Sequence, residues 1–313
     1  MLQRPLESAN WRNPPLVSVI IPTRNRPDLV ALAVHSVLSQ SYTNLEVIVV
    51  DDNDSNSVPR ADTKRELQRY SSDSRLSLIS TTGSIGGGAA RNFACCRACG
   101  DYLAFLDDDD EYLPDKIETQ VRFMMHERLE MSYQDVSWYD PRNGELVECR
   151  HLDHARGFTK KDLLKAHIIT PIAPTSVYML KRSLFERTDG FGEVPVGQDW
   201  FLMLRCIQAD AKIGYMPGVH VRQYLYQRER LSLGDNKIKG ENELFAIRKS
   251  YFNLLSKTER RYVVFRHFAV LAVACARSHK MLAALKYVSC CMWSSPVDFA
   301  HQGYRYLTSA KKG

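Results

Sequence analysis

The chain has 313 residues, 44% hydrophobic and 25% charged, with 16 Gly and 13 Pro, a composition that excludes a disordered chain, a collagen and a coiled coil. Its eight cysteines fall below disulfide-scaffold density, so reduced thiols are expected, with the CCRAC run (95–99) packing on a helix. The net charge of +6 is uneven: residues 245–313 hold twelve Lys or Arg against two acids, Glu259 and Asp298, a local +10 that leaves −4 for the rest.

No run approaches the ~18 apolar residues of a bilayer span, since 268–276 is too short and follows Arg266 and His267. Near the N-terminus, Arg4, Glu7, Arg12, Pro14 and Pro15 interrupt any apolar core of a signal peptide. A cytosolic protein without a membrane span is the expectation.

Residues 17–21 (VSVII) predict a strand, PTRNRP a loop, and the apolar spacing of Leu29, Leu32, Ala33, Val37 and Leu38 a helix entered at Pro27. A second strand, 45–50, runs into DDNDSN and a third, 76–80, into TTGSIGGG. A helix over 89–98 and a strand over 102–106 complete an alternating series. The expected fold is α/β, a mostly parallel sheet flanked by helices. Ligands of such sheets bind beyond the carboxyl ends of the strands, which points to the loops after Ile21, Val50, Ser80 and Leu106. Farther on, Pro114 starts a helix, 132–139 and 146–149 read as strands around a PRNG turn, and 176–180 as another strand. A short helix, a GFGE turn and a helix over 198–209 follow, and from Glu241 onward the residues are helix formers.

The loop FLDDDDEYLP sets Asp107, Asp108, Asp109 and Asp110 directly after an apolar strand, where like charges repel unless a cation compensates. Side chains alternate along an extended chain, so Asp107 and Asp109 point the same way and can converge on one ion. Carboxylate oxygens suit Mg2+ or Mn2+; the plainer alternative is a solvated turn capping the next helix. Asp51, Asp52 and Asn53 also end a strand. A carboxylate there accepts from a nucleobase or ribose, although Asp and Asn are equally ordinary turn residues. The loop GSIGGGAARN offers free backbone approach before a helix, as phosphate cradles do. It lacks the Gly-Lys-Ser/Thr of a Walker motif, and the first strand does not end in the glycines of a dinucleotide fold.

Taken in order, VSVIIPTRNRPDLVALAVHSVLSQSYTNLEVIVVDDNDSN, GGAARN, GDYLAFLDDDDEYLPDKI, DGFGE and QDWFLMLR, spread over about residues 15–235, resemble the inverting nucleotide-sugar glycosyltransferases of family 2, which have a GT-A fold. The resemblance implies that Pro22, Thr23, Arg24 and Asn25, with Asp52 and its neighbour Asp51, hold the nucleoside. It implies that Asp107, Asp108 and Asp109 form the metal motif that binds the donor diphosphate, with Asp107 and Asp109 on Mn2+ or Mg2+. Arg91 is implied to lie near the donor and Asp199 to be the catalytic base. The chemistry agrees, since inversion is a single in-line displacement that needs one base and one electrophile on the leaving diphosphate. The implied activity moves a sugar from a nucleotide-sugar, expected to be a UDP-sugar, to a glycan or lipid-linked acceptor in cell-surface polysaccharide synthesis.

Two departures stand out. Gln198 replaces the acid that commonly precedes the base, and where relatives place a His before a Ser this chain has Gln227 and Arg228, with His220 the nearest His. Arg228 and Arg230 are then candidates to neutralise diphosphate directly. The domain reading is a GT-A-like domain over 15–240, divided at 113/114 into nucleotide and acceptor halves, and a basic helical region over 241–313. In 262–280, Val263, Val264, Phe265, Phe268, Ala269, Leu271 and Ala272 accompany Arg260, Arg261, Arg266, Arg277 and Lys280, a composition expected to give an interfacial helix on the anionic inner face of the plasma membrane. Packing on the catalytic domain or on a second subunit is the alternative. Nucleic acid is not an expected partner, because the tail lacks interleaved aromatic platforms. A noncatalytic nucleotide-sugar sensor or a metal-dependent nucleotidyltransferase would need the same donor loops, and Asp199 with its DGFGE context is what argues for sugar transfer.

Overall fold

The computed structural model describes residues 13–192, 194, 196–226 and 234–309, with the backbone alone for 234, 235 and 303–309. In chain order the elements are β1 (Val17–Thr23), α1 (Pro27–Leu38), β2 (Leu45–Asp51), α2 (Val58–Leu67), β3 (Leu76–Ser80), α3 (Gly87–Cys95), β4 (Tyr102–Phe105), β5 (Asp110–Tyr112) and α4 (Lys116–His126). There follow β6 (Met131–Tyr139), β7 (Leu146–Arg150), α5 (Lys160–Ile169), β8 (Met179–Lys181), α6 (Arg182–Glu186), α7 (Gln198–Gln208) and β9 (Ile213–Tyr224). The C-terminal elements are α8 (Gly234–Ser250), α9 (Lys257–Arg277), α10 (Met281–Ser294) and α11 (Pro296–Ser309).

Among the described residues nine strands form one sheet in the order β3-β2-β1-β4-β8-β6-β9-β5, with β7 paired to β6. β3, β2, β1 and β4 run parallel, as expected of βαβ units, and their register sets Thr23, Asp51 and Ser80 side by side at the carboxyl ends. β1 and β2 are buried along nearly their whole length because their β-branched residues are covered on both faces. The sheet then becomes mixed. β8 enters antiparallel between β4 and β6, β6 and β9 are parallel, and β5 is antiparallel to β9. The strand expected over 176–180 is a 3-10 turn, Thr175–Val177, followed by β8. The helix expected over 89–98 begins two residues early, at Gly87.

The chain divides into two compact units, one of Met1–Lys160, Ile172–Glu193 and Gln198–Tyr226, the other of Lys161–Pro171, Val194–Gly197 and Gln227–Gly313. The first holds the sheet. In the second, α9 is entered through a capping box, Ser256 accepting from the Glu259 backbone and Glu259 from that of Ser256. The His267 ring stacks on Phe245 of α8, centroids 3.9 Å apart, and buried Glu241 lies 3.4 Å from His267 and 3.5 Å from Arg248. Of the residues expected to face lipid, Val264, Phe268 and Ala269 are half-buried. Val263, Phe265, Leu271 and Ala272 are buried, because α9 is the central helix of this unit and its apolar residues form the seams with its neighbours. Among the described residues no helix is long and apolar enough to cross a membrane.

Candidate active site

Four loops meet where β1 to β4 end, and charge decides how they are held. Thr23, the last residue of β1, donates from Oγ1 to Asp108 Oδ2 at 2.8 Å. Arg26, just before α1, reaches Asp108 Oδ1 at 2.9 Å and Asp109 Oδ2 at 2.8 Å. Arg91, on the second turn of α3, donates to Asp107 and, through Nη1, to Gln198 Oε1 at 3.1 Å. The cations that the four-aspartate loop requires are thus supplied by two guanidinium groups. The expected alternation along an extended chain is replaced by a turn, closed by the Asp110 N–H on the Asp107 carbonyl at 3.1 Å, so that Asp108 and Asp109 share Arg26 Nη1 while Asp107 goes to Arg91. Asp107 and Asp109 are half-buried and Asp108 and Asp110 buried. Burial pushes the Asp108 carboxyl up to about 7 against the pull of Arg26, with Asp109 adding to the rise. Burial also raises Asp110 well above the carboxylate range, helped by Asp107 and Asp109, although Gln223 Nε2 donates to it at 2.8 Å.

Around the nucleoside-side candidates, Pro22 is half-buried, Arg24 and Asn25 are exposed, and the Asn25 backbone N–H donates to Asn53 Oδ1 at 2.8 Å. Asp51 is buried and accepts from the backbone and side-chain nitrogens of Asn53. Asp52 is also buried, and its two oxygens take four protein donors: Thr81 Oγ1 and the Ile85 N–H on Oδ1, Ser84 Oγ and the Gly86 N–H on Oδ2. Its carboxylate anchors the Gly-rich loop, filling the lone-pair positions that a nucleobase would use. Arg60 ties the carbonyls of Asp51, Asn53 and Thr81 together from α2.

Asp199 lies in the first turn of α7, half-buried, with Oδ1 accepting the Trp200 N–H at 2.9 Å. A carboxylate is favoured there by the helix dipole. Burial, reinforced by the Asp199 charge, lifts the Tyr178 phenol well above its ordinary value. The start of α7 is tied to α3 by Arg91, which holds Gln198, and the turn before it by Asn92, which exchanges two hydrogen bonds of 2.9 Å with the Phe191 backbone. The structure thus brings Asp107, Arg91 and Gln198, the neighbour of Asp199, into one network, with Asp108 and Asp109 joined to it through the loop.

His220 pairs instead with Asp115, Nδ1 to Oδ1 at 3.0 Å, and Gln227, Arg228 and Arg230 lie outside the described residues. Among the described residues no group of three or more His, Cys, Asp or Glu side chains is arranged to hold a metal. Asp107 and Asp109 carry the carboxylate oxygens that a hard divalent cation takes alongside phosphate and water, and in this structure those carboxylates are paired with Arg91 and Arg26. Three residues that sequence reasoning did not nominate prove central: Arg26, Asn92 and Gln198. The need for a compensating cation was readable, and Arg26 stands one residue beyond the nominated 22–25 loop.

An α/β sheet whose parallel half ends in an Asp/Asn loop, an acidic loop and a Gly-rich loop leading into a helix has the GT-A architecture. The sequence profile of glycosyl transferase family 2 matches residues 18–188, more than half of the chain, and the protein belongs to that family. It is 41% identical over 161 residues to TuaG of Bacillus subtilis (strain 168), named for teichuronic acid biosynthesis, a match over 51% of this chain and 60% of TuaG. The chain spans about half the length of the relatives it matches by sequence. S. aureus TarS 1-349 in complex with UDP-GlcNAc superposes with a TM-score of 0.61 at 16% identity, over 88% of this chain and 91% of that one. The mannosyltransferase PcManGT from Pyrobaculum calidifontis, in complex with GDP-Man and Mn2+, gives 0.59 at 20% identity, over 95% and 80%. These two share the fold.

Proposed function

We propose that this protein is an inverting glycosyltransferase that moves a sugar from a nucleotide-sugar, a UDP-sugar being the first to test, to a hydroxyl of a glycan or lipid-linked acceptor in cell-surface polysaccharide synthesis. The observation that carries the reading is the Arg91 bridge, which joins the acidic loop through Asp107 to the helix start that holds Asp199. The TuaG likeness supports a polysaccharide product, and the nucleotide-sugars in TarS and PcManGT support the donor class.

In this mechanism Asp199 takes the proton of the acceptor hydroxyl as its oxygen attacks the anomeric carbon. The bond from that carbon to the diphosphate breaks on the opposite side, and the anomeric configuration inverts. Asp107 and Asp109 would hold Mn2+ or Mg2+, which when bound neutralises charge on the departing diphosphate. Thr23 and Arg26 keep Asp108 in place and so order the loop between those two ligands. Pro22, Thr23, Arg24, Asn25 and Asp51 border the nucleoside, while Asp52 shapes the Gly-rich loop beside it. Arg91 orients Asp107 and Gln198.

The test is a thermal-shift screen with UDP-glucose, UDP-GlcNAc and GDP-mannose, each with and without Mn2+, because a ligand bound only by the folded state raises its apparent stability. Asp199→Asn should retain the donor shift and lose about 100-fold or more in transfer. A variant that keeps full turnover removes Asp199 from the mechanism, and donor binding without turnover by the wild type would mark a sensor.

A further inference from the structure

Helix α10 has one covered face and one bare face. Its covered face packs on α9 through Ala284 and Cys291, with Cys291 Sγ 3.7 Å from the Phe265 carbonyl and the Tyr287 ring stacked on Phe268. The other face presents Met281, Leu282, Leu285, Val288, Met292 and Trp293 at the spacing of a single helical stripe. Leu282 is 85% exposed and Trp293 91%, and Val297, in the first turn of α11, is 79% exposed. Soluble chains scatter single exposed apolar residues, but a continuous row of this kind marks a contact surface.

Charge selects the partner. α10 contains no acid, Lys280 and Lys286 are exposed at its N-terminal boundary and along it, and in sequence residues 245–313 carry +10. A second copy would bring this positive segment against itself, whereas an anionic lipid surface complements it. Elsewhere in the same unit Lys237, Arg266 and Arg277 line, with Phe265, Val270 and Val273, a cavity of about 430 Å3 to which the described residues contribute no acidic side chain. At 14 residues α10 is shorter than the roughly 20 a bilayer span needs, so it can lie in the plane of the interface but not cross it.

We propose that the bare face of α10 docks on an anionic lipid surface, Leu282, Leu285, Met292 and Trp293 entering the boundary between headgroups and acyl chains while Lys280 and Lys286 meet lipid phosphates. This deepens the proposed function, and rests on its lipid-linked acceptor for a biological purpose; the test below reads binding and not transfer.

The full chain is sedimented with vesicles of phosphatidylcholine alone and of phosphatidylcholine mixed with phosphatidylglycerol, at low and high salt, while tryptophan emission is recorded. Binding to the anionic vesicles alone, a blue shift lost in Trp293→Phe, and weakening at high salt are the expected results. The double variant Leu282→Glu, Trp293→Glu should reduce the bound fraction by about tenfold or more, with its thermal melt and donor shift unchanged. The proposal is overturned by absence from the anionic pellet at low salt, or by a double variant that still sediments. A dimer in analytical ultracentrifugation that the double variant dissolves, without vesicle binding, assigns the face to a second copy instead. Vesicle binding by a protein with no donor shift would leave the docking intact and count against the catalytic reading alone.

Discussion

Replacing Arg91 by Ala separates the acidic loop from the start of α7, and the cost can be worked from its contacts. The residue is 7% exposed, and its guanidinium donates to the Asp107 carboxylate and to the uncharged amide oxygen of Gln198 and makes a cation–π contact with Phe191 at 5.5 Å. A hydrogen bond to a charged group contributes about 1.5–3 kcal/mol, and the lower end applies because the Asp107 side chain is 36% exposed and water takes over part of the role. The Gln198 bond adds about 1 kcal/mol and the ring contact about 0.5–1. The expected loss is roughly 3 kcal/mol, read from urea unfolding followed by circular dichroism. Turnover should fall by about 100-fold if Asp199 is the base, as proposed, because a carboxylate displaced by a fraction of an ångström would no longer meet the acceptor hydroxyl. Arg91→Lys keeps the charge but not the planar fork, so it should recover the Asp107 contact without the Gln198 one and fall between the two in stability. If Arg91→Ala unfolds within about 0.5 kcal/mol of the wild type and turns over normally, the bridge is not what joins the two loops.

Asp109→Ala removes one of the two carboxylates on Arg26 but leaves Asp108, so stability should change by less than about 1 kcal/mol while the Mn2+-dependent part of the donor thermal shift disappears; an undiminished shift takes Asp109 out of the metal site. Asp108 has a carboxyl raised by burial to about 7 from an ordinary 3.8. Between those values the folded protein keeps a proton that the unfolded chain has released, so this contribution to stability is full at acid pH and is lost as pH rises through about 7. Asp108→Asn, unfolded in urea with chelator at pH 5 and pH 8, should therefore lose less stability on going to pH 8 than the wild type does, by roughly 2 kcal/mol; an identical difference would contradict the raised pKa. Gly190 has φ of +60°, and a Cβ there would lie 2.5 Å from Asn92 Oδ1 and collide with the Phe185 ring. Gly190→Ala should cost roughly 2–4 kcal/mol and loosen the Asn92 clamp on the Phe191 backbone, and a urea midpoint equal to that of the wild type would show that the turn relaxes freely.

What could be read in the sequence follows from which forces are local. β1 and β2 were legible because VSVII and LEVIVV are rich in β-branched residues, apolar but for Ser18 and Glu46, and end in turn residues. β5 was not, because Asp110–Tyr112 is two acids and a tyrosine whose strand geometry comes only from pairing with β9. The role of Asp52 was hidden for a similar reason, since two of its donors are backbone N–H groups more than thirty positions away. The apolar residues of α9 illustrate a real ambiguity. Composition is the same for a helix that faces lipid and for one wedged between two others, and only the presence of α8 and α10 decides.

The anchoring of the Gly-rich loop by Asp52 also bears on how far that loop can be varied. Half of its four donors belong to the peptide backbone at positions 85 and 86, and these persist whatever side chains the loop carries. Ile85 points largely outward, and a Cβ at Gly83 would meet nothing nearer than Asp54 Oδ1 at 3.8 Å. The course of the loop is thus fixed by one carboxylate while its outer surface is left open to variation. A library that randomises positions 82, 83 and 85 and keeps Asp52, Thr81, Ser84 and Gly86 would sample new chemistry at the strand ends on an unchanged scaffold.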